Sequence, residues 1–223
     1  MYTPPPFRPD RAASLAFAQT RGFGLVCAWA GQKPVASLVP FYLSYTCDGT
    51  PQAAFHVARH NPLAELSGGP PWLLAVTGPD AYVSADWYVS SDQVPTWLYQ
   101  AVHLTGTVRT LSDDELALQI DALSAKFEAG LLPKKPWTSA KMAAGRLDGM
   151  KKAIVGLVMT VEEVEGSFKL NQHKSAADIA AVAVAEALAM QADAGSQQIA
   201  GLMRQARSPA FAEETNRLER SVQ

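Results

Sequence analysis

A chain of 223 residues with 48% hydrophobic content is long and apolar enough for one large domain with a real core. Its formal charge of −2 excludes binding to polyanions through overall charge, and it has no uninterrupted apolar run long enough to span a bilayer. Only two cysteines, Cys27 and Cys47, and no apolar leader behind the proline-rich start suit an unbridged, cytoplasmic protein.

Residues 1–9 read as an extended arm, because four prolines withhold helix donors. Asp10 is placed to cap a short helix to Thr20, ended by Gly22 and Gly24. Residues 25–30 and 35–43 pattern as strands joined by Gly31-Gln32-Lys33-Pro34, a turn that sets Cys27 near Leu38 and far from Cys47. Residues 53–59 and 72–77 follow as strands, and Gly78-Pro79-Asp80 is expected to turn the chain toward 81–84.

The stretch from Val94 to His103 joins a turn to a strand. Pro95 biases Val94 toward extended backbone, and Trp97 and Tyr99 alternate with Leu98. On packing grounds Trp97 reads as an aromatic core plug; with the Thr96 hydroxyl and His103 it reads instead as a ligand wall. Residues 101–111 carry β-branched Val102, Thr105, Thr107, Val108 and Thr110. Many short strands with turn signals argue for a barrel.

Ser112-Asp113-Asp114-Glu115 has the capping-box form and starts a helix to about Glu128. A basic linker leads through Trp137 to a second helix ending near Gly149. Residues 153–164 return to a strand pattern, and Gly166 is expected to turn the chain into Phe168-Lys169-Leu170. Ser175 caps an alanine-rich helix to about Ala192, a further helix follows Gly195, Pro209 breaks it, and a polar tail closes the chain. Charge is uneven: no Lys or Arg lies between Arg59 and Arg109, whereas Lys134, Lys135, Lys141, Arg146, Lys151 and Lys152 share their segment with one acid, Asp148.

The run Val94-Pro95-Thr96-Trp97-Leu98-Tyr99-Gln100-Ala101-Val102-His103 resembles the V-P-T-W-x-Y-x-x-V-H signature of the PaiB family of FMN-binding negative transcriptional regulators. Met1-Tyr2 with Phe7-Arg8, Val39-Pro40-Phe41, His56-Val57-Ala58-Arg59-His60-Asn61-Pro62 and Gly78-Pro79-Asp80-Ala81-Tyr82-Val83-Ser84 match in the family's order. Trp87-Tyr88, Ala153-Ile154-Val155-Gly156 and Gly166-Ser167-Phe168-Lys169-Leu170-Asn171-Gln172 complete the series. The chain departs from the family pattern at Leu98, Asn171 and His173.

The resemblance implies an α+β, mainly β, FMN-binding split β-barrel with peripheral helices over 1–174 and a C-terminal helical extension and tail over 175–223. It implies FMN as cofactor, a homodimer with sites at its interface, and negative control of transcription. FMN needs a cation and donors for its phosphate and an apolar slot for its ring. Arg59 and Asn61 offer donors, small Ala58 allows close approach, and His56 shares its strand face with Ala58. Ser37 offers a hydroxyl and Leu38 and Val39 backbone groups, on a strand whose closing Pro40 suggests an edge or a bulge. Thr96, Trp97 and His103 form a third group, and Lys169 and Gln172 a fourth.

No helix-turn-helix signature accompanies these residues, so DNA contact points to the basic segment 134–152 with Trp137. The HxxxH spacing of His56 and His60 sits on a strand pattern with no acid or cysteine beside it and makes a poor zinc set. No catalytic residue is assigned. The alternatives are a flavin-dependent oxidoreductase for a small molecule, and a binding module whose flavin site has decayed.

Overall fold

The computed structural model describes residues 1–143, 145–189 and 194–205. Helix α1 (Arg11–Arg21) precedes strands β1 (Phe23–Ala30), β2 (Lys33–Pro40), β3 (Tyr42–Tyr45), β4 (Pro51–Ala58), β5 (Trp72–Val83) and β6 (Thr96–Thr110). Helices α2 (Asp113–Ala129) and α3 (Arg146–Lys151), strand β7 (Ile154–Lys169) and helices α4 (Ala176–Ala189) and α5 (Ala194–Gln205) follow. The strands form one sheet in the order β2-β1-β5-β6-β7-β4-β3. Pro209 and the tail fall outside the described residues.

The first hairpin is tighter than its residues suggest. Gly31, at φ 64°, closes a two-residue loop with Gln32, so Lys33 and Pro34 already pair with Ala30 and Trp29. Pro34 is tolerated because β2 is an edge strand. The shorter loop moves the register, and Cys27 faces Ala36 rather than Leu38. Both cysteines are free thiols. The strand expected over 35–43 breaks after Pro40, where buried Phe41 turns its N–H to the Gly22 carbonyl at 2.8 Å.

Two expected turns are strand interior. β5 runs through Gly78-Pro79-Asp80, with Trp72, Leu74 and Val76 buried before it and Ala81 and Val83 after it. The buried residues change from even to odd numbers across this stretch, and Pro79 lies beyond Leu73–Ala75, the residues of β5 that pair with β1. β7 likewise runs through Gly166. The helix expected to end near Gly149 is a single 3-10 turn, Ser139–Lys141, and the short α3.

The chain divides into two compact units. One comprises Met1–Asp10, Thr77–Ala101 and the chain from Gly166; the other comprises Arg11–Val76 and Val102–Glu165. In the second unit Val26, Phe41, Phe55, Leu63, Leu74, Leu104, Leu157 and Met159 form the buried core. Helix α2 carries its capping box: the Glu115 N–H donates to Ser112 Oγ at 3.3 Å, and the Ser112 N–H to Glu115 Oε2 at 2.8 Å.

In the first unit Ala81, Val83, Leu98 and Leu170 pack with Ile179 and Val182 of α4 and Ile199 and Met203 of α5. Ser175 caps α4, accepting from the Asp178 N–H at 3.1 Å. The buried Asp178 carboxylate accepts from the Val89 and Ser90 N–H groups at 3.0 and 2.9 Å and from the Ser90 and Ser175 hydroxyls, both at 2.8 Å. The Ser90 N–H, the Ser175 hydroxyl and the remaining donors hold its pKa down to about 2. Such a depressed pKa stabilises the fold fully above the unfolded value of about 3.9 and loses that effect as pH falls toward 2. The urea midpoint is therefore expected to fall more steeply between pH 5 and pH 2.5 in the wild type than in Asp178→Asn. Equal slopes would contradict this assignment.

Candidate functional site

In the first unit the structure joins two of the sequence candidates. Lys169, the last residue of β7, donates from Nζ to Thr96 Oγ1, at the start of β6, at 2.6 Å. No carboxylate pairs with this ammonium among the described residues, so a cation and a hydroxyl stand together without a resident anion.

Neighbouring Trp97 points to the opposite strand face. It is 55% exposed, so it is not a core plug; the alternation of β6 buries Leu98 instead. The indole meets Tyr82 of β5, 50% exposed, edge to face at 6.0 Å between ring centres. Leu98 faces the core, so its departure from the family pattern is a packing choice. Asn171 has a backbone reason as well: it sits at φ 61°, which asparagine tolerates, and its buried Nδ2 donates to the Tyr88 hydroxyl at 2.8 Å. The Gln172 amide closes the turn after β7, accepting from the Leu170 N–H at 2.8 Å and donating to the Phe168 carbonyl at 2.6 Å.

In the second unit Asn61 Nδ2 donates to Ser37 Oγ at 2.7 Å, while its Oδ1 accepts from the Leu63 N–H at 3.0 Å and caps the following 3-10 turn. Leu38 is exposed and Val39 buried, and β2 lies at a sheet edge as Pro40 suggested. Arg59, beyond the exposed Ala58, clamps β4 to the start of β7: Nε donates to the Lys152 carbonyl at 2.6 Å and Nη2 to the Ile154 carbonyl at 2.9 Å.

His56 is half-buried, its Nδ1 3.3 Å from Gln119 Nε2 of α2; burial pushes its pKa down, and the Gln119 hydrogen bond opposes that. Burial also pushes His103 down, with the Glu165 carboxylate opposing. In both residues burial favours the neutral imidazole. Tyr82 and Gln119 escaped sequence reasoning. Tyr82 was legible in the alternation Ala81-Tyr82-Val83, whereas a glutamine on a helix carries no sign that it is buried.

A family model with the description "Putative FMN-binding domain" matches residues 1–163. "Protease synthase and sporulation protein PAI 2" of Bacillus subtilis is 30% identical over 213 residues, covering 91% of this chain and 96% of its own. Among solved structures, the FAD and heme binding protein from Mycobacterium smegmatis superposes with a TM-score of 0.54 at 21% identity, over 72% of this chain and 71% of that one. The flavocytochrome Anf3 from Azotobacter vinelandii gives 0.53 at 16% identity, over 71% and 67%. These structures establish the fold: mainly β, a split barrel with peripheral helices.

The phosphate of a flavin mononucleotide calls for a cation with hydroxyl or N–H donors, and Lys169 with Thr96 is a pair whose chemistry fits that need. From its motifs, its fold and its end-to-end likeness to a relative, the chain belongs to the FMN-binding domain family, and FMN is its cofactor.

Proposed function

We propose that this protein is an FMN-binding negative regulator of transcription, acting as a cytoplasmic homodimer, in which Lys169 and Thr96 hold the cofactor's phosphate. The observation that carries the site is the Lys169–Thr96 contact, a cation and hydroxyl with no carboxylate partner among the described residues. The likeness to the PaiB family over nearly the whole chain supports the regulatory role. The unbridged cysteines, Cys47 exposed, support a reducing compartment. Among the described residues no helix is long and apolar enough to cross a membrane.

A homodimer is supported by one apolar surface. Phe23, Leu25 and Trp29 of β1 stand exposed with Leu38 of β2, and Leu25 lies directly opposite Leu38 in the ladder. Trp29 is 62% and Leu38 65% exposed, which is costly for side chains of this size unless a partner covers them. Leu38→Asp is expected to convert the dimer to a monomer in sedimentation equilibrium while leaving the circular dichroism spectrum unchanged. A variant that sediments like the wild type would remove this face as the interface.

DNA contact is placed on the basic segment. Lys134 pairs with Glu128, Lys151 with Asp148, and Lys141 donates to the Pro136 carbonyl. Lys135 and Lys152 are exposed and pair with no acid among the described residues. The test is fluorescence anisotropy of FMN-loaded protein on fragments of its own promoter. The double variant Lys135→Gln/Lys152→Gln is expected to lower the slope of log K against log salt by about two. An unchanged slope would exclude the segment, and no retention of any promoter fragment would exclude the regulatory reading.

A second reading, a flavin-dependent oxidoreductase for a small molecule, rests on His103, whose neutral imidazole is fit to accept a proton. Bound FMN supplies hydride or electron transfer. Sustained NAD(P)H consumption without promoter binding would favour this reading.

A further inference from the structure

Within the second unit, residues of α2, of α3 and of the segment between them line an open cavity of about 610 Å³ against β4 and β7. Its walls are mostly apolar: Ile120 of α2, Trp137 and Met142 of the connecting segment, Leu147 and Met150 of α3, and Ile154 of β7. Three cations, Lys141, Arg146 and Lys151, also line it, and no lining residue is acidic. Two of the three are engaged, Lys141 with the Pro136 carbonyl at 2.9 Å and Lys151 with Asp148 at 2.8 Å. Arg146 pairs with no acid among the described residues.

The polar floor is built as well. His56 lines the cavity, and its Nδ1 meets the Nε2 of Gln119, a residue almost wholly buried. A space of this size falls within the roughly 300–1,000 Å³ of small-ligand sites.

We propose that this cavity is a second ligand site, separate from the flavin site, for a small organic acid. Its occupant has an aliphatic or aromatic body of about eight to twelve carbons, which the volume accommodates. Its single carboxylate is held by Arg146. The apolar walls select the body, and the three cations, with no acid among the lining residues, select the anion. A nucleic-acid strand is a poor fit, because the lining offers Trp137 as its one large aromatic platform rather than a succession of stacking rings.

The test is calorimetric titration of octanoate into the full chain with excess FMN present, beside 1-octanol as the uncharged control. Saturable octanoate binding at one site per chain is expected, with octanol binding at least about tenfold more weakly. Arg146→Gln is expected to weaken octanoate by about tenfold while leaving the FMN dissociation constant unchanged. Leu147→Trp, which fills the cavity, is expected to abolish octanoate binding. Equal binding of octanol, or no octanoate binding to the wild type, overturns the proposal. So does competition between octanoate and FMN, which would make the cavity part of the flavin site. The wild-type comparisons decide the matter even where a variant fails to fold, and a repeat without FMN separates this site from the fate of the flavin assignment.

Discussion

Gly106→Ala is expected to destabilise the protein by about 3 kcal/mol, from one added methyl group. Gly106 is buried in β6, and a Cβ there would stand 1.8 Å from the Thr160 carbonyl oxygen and 2.8 Å from its carbon. Both atoms are backbone of β7, so no side chain can swing away and the two strands must part. The Glu162 backbone nitrogen, also of β7, stands 3.2 Å from the same Cβ position. Gly149→Ala is the matched control, since a Cβ there meets nothing within 4 Å and its helical backbone favours alanine. Urea unfolding should show a large fall in midpoint for the first variant and none for the second. Equal midpoints would mean that β6 and β7 do not run as closely as described.

Lys169→Met is expected to weaken FMN binding by about ten- to hundredfold, as loss of a charge-assisted contact to phosphate does. Methionine keeps the length of the stem and removes only the ammonium, so packing changes little. Thr96→Val removes the hydroxyl at nearly constant shape and should cost about tenfold or less. Lys174→Met makes the same change of charge five residues away. There the ammonium lies 5.3 Å from the centre of the Tyr88 ring and donates to Gln93, and its loss should leave FMN affinity nearly unchanged. Equal effects of Lys169→Met and Lys174→Met would point to general charge rather than to a phosphate contact.

Much of the fold was legible because its signals are local. The alternation from Thr96 to Val108, the capping box at Ser112 and the Ser175 cap act over a few residues, and each forms as its pattern suggests. The misreadings share a cause: glycine and proline punctuate a chain only where their backbone needs cannot be met inside a strand. Pro79 lies beyond the residues of β5 that pair with β1, an edge absorbs Pro34, and β7 carries Gly166 without turning. One wrong turn length then moved Cys27 from Leu38 to Ala36, since hairpin register follows loop length.

The candidate site was legible as residue types but not as contacts. Thr96 and Lys169 are 73 positions apart, and only the fold shows that they touch. Arg59, a natural phosphate ligand by type, clamps two strand carbonyls instead. Trp97 was open to two readings because an aromatic side chain serves a core or a surface equally well; the phase set by buried Leu98 decides it.

The most direct test of the account is titration of FMN into the purified full-length protein, followed by quenching of flavin fluorescence. Saturable binding at one flavin per chain, micromolar or tighter and weakened in Lys169→Met, is the expected result. No saturable binding by the wild-type chain would contradict the assignment of FMN, and with it the proposed role of the Lys169–Thr96 pair.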